Sequence, residues 1–308
     1  MKFLKYNIFF FIITSILCIP SLLFAESEEK MEKSYPLAMN GKVYVENISG
    51  DIDVKSWNKD EIKILVRKTA PDKDSLDGVT IDINQTRENI RIITRRNKSA
   101  GLSNSTNVSV YYDLFIPEKA QVRVKTISGS VTTLETGGSV DVETVSGRIE
   151  VVEAANGVKS KTISGGIYLD KIIGDADLES TSGEIIVDGI QGSVEANTVS
   201  GDIEINQISF ADELEVESIK GNMEIQGELS PGGIYEFNTI SGKIRVALAP
   251  LSNFELQTNT MSGVIQCDFK LNAYSIYTRN KLQGVVGNGG SSLKISSLSG
   301  DILIFKGK

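Results

Sequence analysis

Residues 126–131 read TISGSV, and the phrase returns as TVSGRI at 144–149, TISGGI at 162–167, STSGEI at 180–185 and TVSGDI at 198–203. Five copies at a step of 18 residues mark a repeat architecture, in which each unit buries its apolar face only against its neighbours. The glycine of the phrase recurs as Gly50, Gly129, Gly147, Gly165, Gly183, Gly201, Gly221, Gly242, Gly263 and Gly300, with later steps of 20, 21, 21 and 37 residues.

Counting from that glycine exposes columns. Two residues on stand Ile52, Val131, Ile149, Ile167, Ile185, Ile203, Met223, Ile244, Ile265 and Ile302; four on stand mostly aliphatic residues, with Cys267 in one slot. This alternation is that of a strand with one buried face. Five and seven residues before the glycine lie pairs such as Val124 and Val122 or Val142 and Val140, a second strand. Two before it runs another apolar column: Ile127, Val145, Ile163, Val199, Ile219, Ile240, Met261 and Leu298. The step from the fifth to the second place is odd, so alternation predicts a bend between them, with Ser-Gly as the corner and glycine supplying positive φ. On that reading Gly165→Val is strongly destabilising. Thr126, Thr144, Thr162, Ser180, Thr198, Ser218, Thr239 and Thr260 form a hydroxyl column beside the corner.

One such coil cannot fold alone. About five inward aliphatics at roughly 1.5–3 kcal/mol each do not offset an ordering cost of about 1–2 kcal/mol per residue. Stacking closes the deficit. The pattern predicts an all-β parallel β-solenoid, right-handed because parallel crossovers are, with about ten coils of 18–21 residues in the regular part. Residues 26–39 read as a linker, 40–121 as an N-terminal β region opening the solenoid, and 122–308 as the regular solenoid closed by a capping C-terminal coil. Residues 79–94 read as a hairpin or two successive edge strands, and 97–107 as a polar, mobile loop.

Residues 1–25 carry Lys2 and Lys5, an apolar run from Ile8 to Ile19, and Leu23 and Ala25 at a small-residue cleavage site. They read as a secretory signal peptide, with an uncleaved membrane anchor as the alternative. Leu17 before Cys18 disfavours lipidation. Loss of the segment takes the net charge from −8 to −10, which disfavours nucleic acid and anionic membranes. Membrane contact is then expected only through that segment if uncleaved. Cys267 is left without an internal partner and reads as a small core residue.

The GDIDVKSW segment, the FIPEKAQVRVKTISGSV transition, the stacked SG phrases and the closing GNGGSSLKISSLSGDI together resemble the bacterial putative adhesin family, over about residues 40–308. That resemblance implies a β-helical fold related to auto-transporter adhesin-like heads, and carries no catalytic residues. Lys220 replaces the corner serine in SIKG, which leaves open a different turn there.

With no histidine in the chain, Ser-His-Asp and Cys-His catalysis are excluded. Glu204 and Glu224, outward on adjacent coils, are the candidates for acid–base work on a polysaccharide or for Ca²⁺, against a solvated acidic face. Tyr168 and Ile186 form a small apolar break suited to a partner. Arg95, Arg96 and Lys98 make a basic spot against a solvated loop. Trp57 reads as packing rather than sugar binding, and GVVGNGG as a turn rather than a phosphate loop. No catalytic, cofactor-binding or metal-binding residue is assigned and the ligand is left unknown. The expected function is an exported, non-enzymatic scaffold or binding protein of the periplasm or cell surface with a protein or glycan partner. The rivals are a carbohydrate-active β-helix enzyme and an envelope stress sensor or assembly factor.

Overall fold

The computed structural model describes residues 26–97, 107–209, 211–272 and 275–307. The segment 1–25 and Lys98 lie outside the described residues. Among the described residues the strands form two sheets of 13 and 14, facing each other across one apolar core. Each regular coil gives one strand to each sheet. Val140–Ser146 leads to the corner glycine and Ile149–Ala154 leaves it. Both pair in parallel with the same columns of the coils on either side: Val140 with Val122 and Val158, Ile149 with Val131 and Ile167. The 18-residue step is thus one winding of a β-solenoid. With strands about 4.8 Å apart, sheets of this size make a rod about 60 Å long.

The corner bears out the sequence reading at Gly50, Gly129, Gly147 and Gly242, with φ of 106°, 146°, 153° and 158°, and departs from it elsewhere. At Gly165 the backbone does not occupy the left-handed region. Glycine is required because a β-carbon would overlap the Gly147 carbonyl, whose carbon would lie only 2.7 Å away. Neighbouring glycines repeat this contact down the rod, and the amide of each donates to the next coil, as Gly147 does to the Ser164 carbonyl at 3.2 Å. Gly221 stacks in the same way on Gly201, so Lys220 leaves the turn unchanged. A second corner went unread. Six residues after the glycine, Glu135, Glu153, Lys171 and Gln207 have φ of 55°, 58°, 54° and 54°, with Gly189 at 82° in the same column. Here side-chain-bearing residues hold a left-handed conformation once per coil.

Both ends fold back. At the C-terminal end the stacking order is Gly242, Gly300, Gly263. The closing strands Ser291–Ser299 and Ile302–Lys306 do not cap the rod; they lie between the coil of Ile234–Leu248 and that of Phe254–Cys267. The 37-residue step is the path outward and back. Lys281–Val286, antiparallel to Phe254–Ser262, covers that strand of the outer coil, while its short second strand, Ile265–Cys267, forms the edge of the 13-stranded sheet. At the other end Asn89–Arg96 and Ser109–Pro117 stack outside the first coil, and 79–94 resolves as the hairpin Val79–Gln85 with Asn89–Arg96. The expected linker is a strand: Ser27–Pro36 runs antiparallel to Glu61–Ala70. Only Met31 and Tyr35 pack against the core, too few apolar residues for hydrophobic pattern to mark a strand, and its charges protect an exposed edge.

Candidate functional groove

The hydroxyl column lies inside. Thr126, Thr144, Thr162 and Thr198 are each 5% exposed and continue the buried alternation of their strands. No bend falls before the next residue, so the apolar column two places before the glycine faces solvent: Ile127, Val145, Ile163, Val199, Ile219, Ile240, Met261 and Leu298 are 43% to 75% exposed. The odd step is met by turning that column outward, contrary to the reading that a bend tucks it in.

The outward residues four places before the glycine form the facing wall, beginning Lys125, Glu143, Lys161, Glu179. Between the two ladders runs a groove of about 1380 Å³ along the 14-stranded sheet, floored by the hydroxyl column. Every strand beneath it is paired on both sides along its length from Lys125 to Ser296. The groove therefore offers side chains to a ligand, and no free strand edge.

Charge divides the wall. In the first half Arg123 and Lys125 face Asp141 and Glu143, and Lys159 and Lys161 face Asp177 and Glu179, rung against rung. Arg123 reaches Asp141 at 3.3 Å and Glu143 at 2.9 Å; Lys125 reaches Glu143 at 2.6 Å; Lys159 pairs with Asp177 and Lys161 with Glu179. The Lys125 hydrogen bond, with help from Arg123, holds the Glu143 carboxyl below its ordinary value. In the second half the wall reads Asn197, Glu217, Asn238, and the outward ladder next to it, outside the groove lining, stacks Glu195, Glu215 and Glu236 in register. Desolvation first, then Glu217, Glu195 and Glu236, push the Glu215 carboxyl up.

The sequence candidates lie elsewhere. Glu204 and Glu224 are adjacent, as expected, but exposed on the opposite, 13-stranded sheet. Arg245 lies 3.8 Å from Glu224, and Asn206 donates to Glu204 at 2.7 Å. Tyr168 and Ile186 are neighbours on that sheet, with Arg148 over the Tyr168 ring. Arg95 is paired with Asp82 at 2.6 Å. Trp57 packs on Phe115 and donates to the Glu61 carbonyl. Cys267 is half-buried against the core and burial pushes its thiol up. GVVGNGG ends the strand Lys281–Val286 and turns, with Gly287, Gly289 and Gly290 at positive φ. Among the described residues no group of three or more acids or thiols is placed to hold a metal ion. No helix there is long and apolar enough to cross a membrane.

Fold and groove define a class of protein: a two-sheeted β-solenoid that presents a lengthwise trough. The chain belongs to the Toastrack DUF4097 family, whose profile matches residues 40–304. No curated protein matches it. Similar solved structures include a putative adhesin from Bacteroides fragilis, 13% identical, covering 90% of this chain and 97% of that one at a TM-score of 0.43. A putative adhesin from Parabacteroides distasonis is 9% identical, with coverage of 90% and 97% and a TM-score of 0.38. A putative lipid binding protein from the same species is 12% identical, with 89% and 96% covered and a TM-score of 0.40.

Proposed function

We propose that this protein is a non-enzymatic binding module of the bacterial envelope, exported to the periplasm or cell surface, whose groove receives an elongated partner. One observation carries the reading: a ladder of aliphatic side chains is held in solvent on coil after coil, where core packing gives it no role. Continuous exposed apolar surface of this kind marks an interaction site. Family membership and neighbours named as adhesins agree with a binding role; export rests on the pattern of residues 1–25. The rival glycan-cleaving reading needs Glu204 and Glu224, which stand exposed on a sheet face, with Arg245 beside Glu224.

The test uses residues 26–308 and two assays. Capture of envelope components by the intact protein should be lost on Ile163→Asn, Ile219→Asn and Ile240→Asn together, with folding unchanged because all three are exposed. Capture indifferent to these changes would defeat the groove reading. Turnover of cell-wall glycans abolished by Glu204→Gln or Glu224→Gln would establish the enzyme instead.

A further inference from the structure

Thr181 interrupts the aliphatic ladder between Ile163 and Val199, where the wall also changes from paired to unpaired charge. Beyond it five apolar rungs run in stacking order Val199, Ile219, Ile240, Leu298, Met261. Glu217 lines the groove across from them, and Glu195, Glu215 and Glu236 form the next outward ladder along the same strands. Asn197 and Asn238 donate to Glu195 and Glu236 at 3.1 and 3.3 Å. Two lysines stand at the far end, Lys294 at 3.9 Å from Glu236 and Lys281 lining the groove beside Asn259 and Met261. In-register stacking of like charges costs stability, and the first half of the same wall avoids it by alternating sign.

We infer that this second half of the groove docks a cationic amphipathic α-helix, its aliphatic row on Val199–Ile219–Ile240–Leu298–Met261 and its flanking Lys or Arg row on the glutamates. The inference rests on the groove reading and names the partner's chemistry. Charge complementarity selects a basic partner over an acidic or neutral one, and over a second copy of this net-acidic chain. Geometry selects the helix. A helix along the rod brings a side-chain row round about every 5.4 Å, near the rung spacing of about 4.8 Å, whereas same-face residues of an extended chain repeat about every 6.6 Å and fall out of step. An extended chain would also find no free strand edge to pair with. Five rungs span about 19 Å, matched by about 13 helical residues.

The experiment measures binding of three labelled helical peptides of about 14 residues, built from Leu with Lys, Gln or Glu, to residues 26–308 at low and high salt. Neutral phosphatidylcholine vesicles are run alongside. The Leu/Lys peptide should bind, weaken with salt, and bind about tenfold or more weakly to Glu215→Gln/Glu217→Gln/Glu236→Gln. Ile219→Asn/Ile240→Asn should abolish binding. The glutamine variant should melt no lower than wild type, separating lost affinity from lost fold. Equal binding of all three peptides, lost with the asparagine variant but unmoved by the glutamines, overturns the cationic partner and leaves the groove reading standing. Binding of vesicles in preference to peptides overturns the helix. Peptide binding that ignores the asparagine variant overturns both readings.

Discussion

The two halves of the groove wall are built on one frame and charged by opposite rules. From Arg123 to Glu179 each rung carries the sign its neighbour lacks, and the resulting ion pairs join coil to coil. From Glu195 to Glu236 acids stack on acids. Parallel register, stacked corner glycines and a buried hydroxyl column run through both, so the wall charges are free of the fold. The first half uses that freedom for cohesion; the second carries an unfavourable arrangement that the proposed basic partner would relieve.

The largest effect should be shared by both halves. Gly165→Val and Gly242→Val each force a side chain into the carbonyl of the coil before, Gly147 or Gly221. Each should cost more than about 4 kcal/mol, read by denaturant unfolding. A large cost in one half alone would mean that the frame is not common to both. Next, Glu135→Gly should stabilise by about 1 kcal/mol, since φ of 55° burdens a side-chain-bearing residue. No gain would mean that this corner is unstrained.

The charge substitutions separate the halves by sign. Glu143→Gln removes pairs with Lys125 and Arg123 and should lower stability by about 0.2–1 kcal/mol. Glu215→Gln should raise it by a similar or smaller amount. Melting changes of the same sign would break the comparison. The pH response should diverge too. Glu143 titrates below its ordinary 4.5, so the stability it contributes is present above that pH and lost as pH falls through its folded value. Glu215 titrates above 4.5, so its contribution is full below that pH and lost as pH rises through its folded value. Melting from pH 7 to pH about 4 should show the loss on Glu143→Gln shrinking as Glu143 protonates. The gain on Glu215→Gln should vanish over the same range as Glu215 protonates.

The solenoid was legible because it is written in columns: alternating Val and Ile beside an invariant step can be satisfied only by stacking. Three features were not. The outward face of Ile127, Val145 and Ile163 was missed because aliphatics two before the glycine look like core, and only the buried Thr126, Thr144 and Thr162 settle the phase. The left-handed corner was missed because Glu135, Glu153 and Lys171 are not glycines, and backbone stress leaves no compositional mark. The inserted closing coil was missed because Gly300 stacks on Gly242, 58 residues earlier, across a contact that chain order does not record. An outward column that looks like core hides the groove, and leaves Glu204 and Glu224, on the other sheet, as the paired carboxylates that the sequence displays.

Thiol accessibility tests the outward ladder most directly. In a Cys18→Ser/Cys267→Ser background, Ile163→Cys and Ile240→Cys should react with a maleimide in the folded protein nearly as fast as in denaturant. Thr162→Cys and Thr239→Cys, one residue earlier, should react only on unfolding. Protected thiols at 163 and 240, or fast ones at 162 and 239, would put the aliphatic ladder inside the rod and remove the groove.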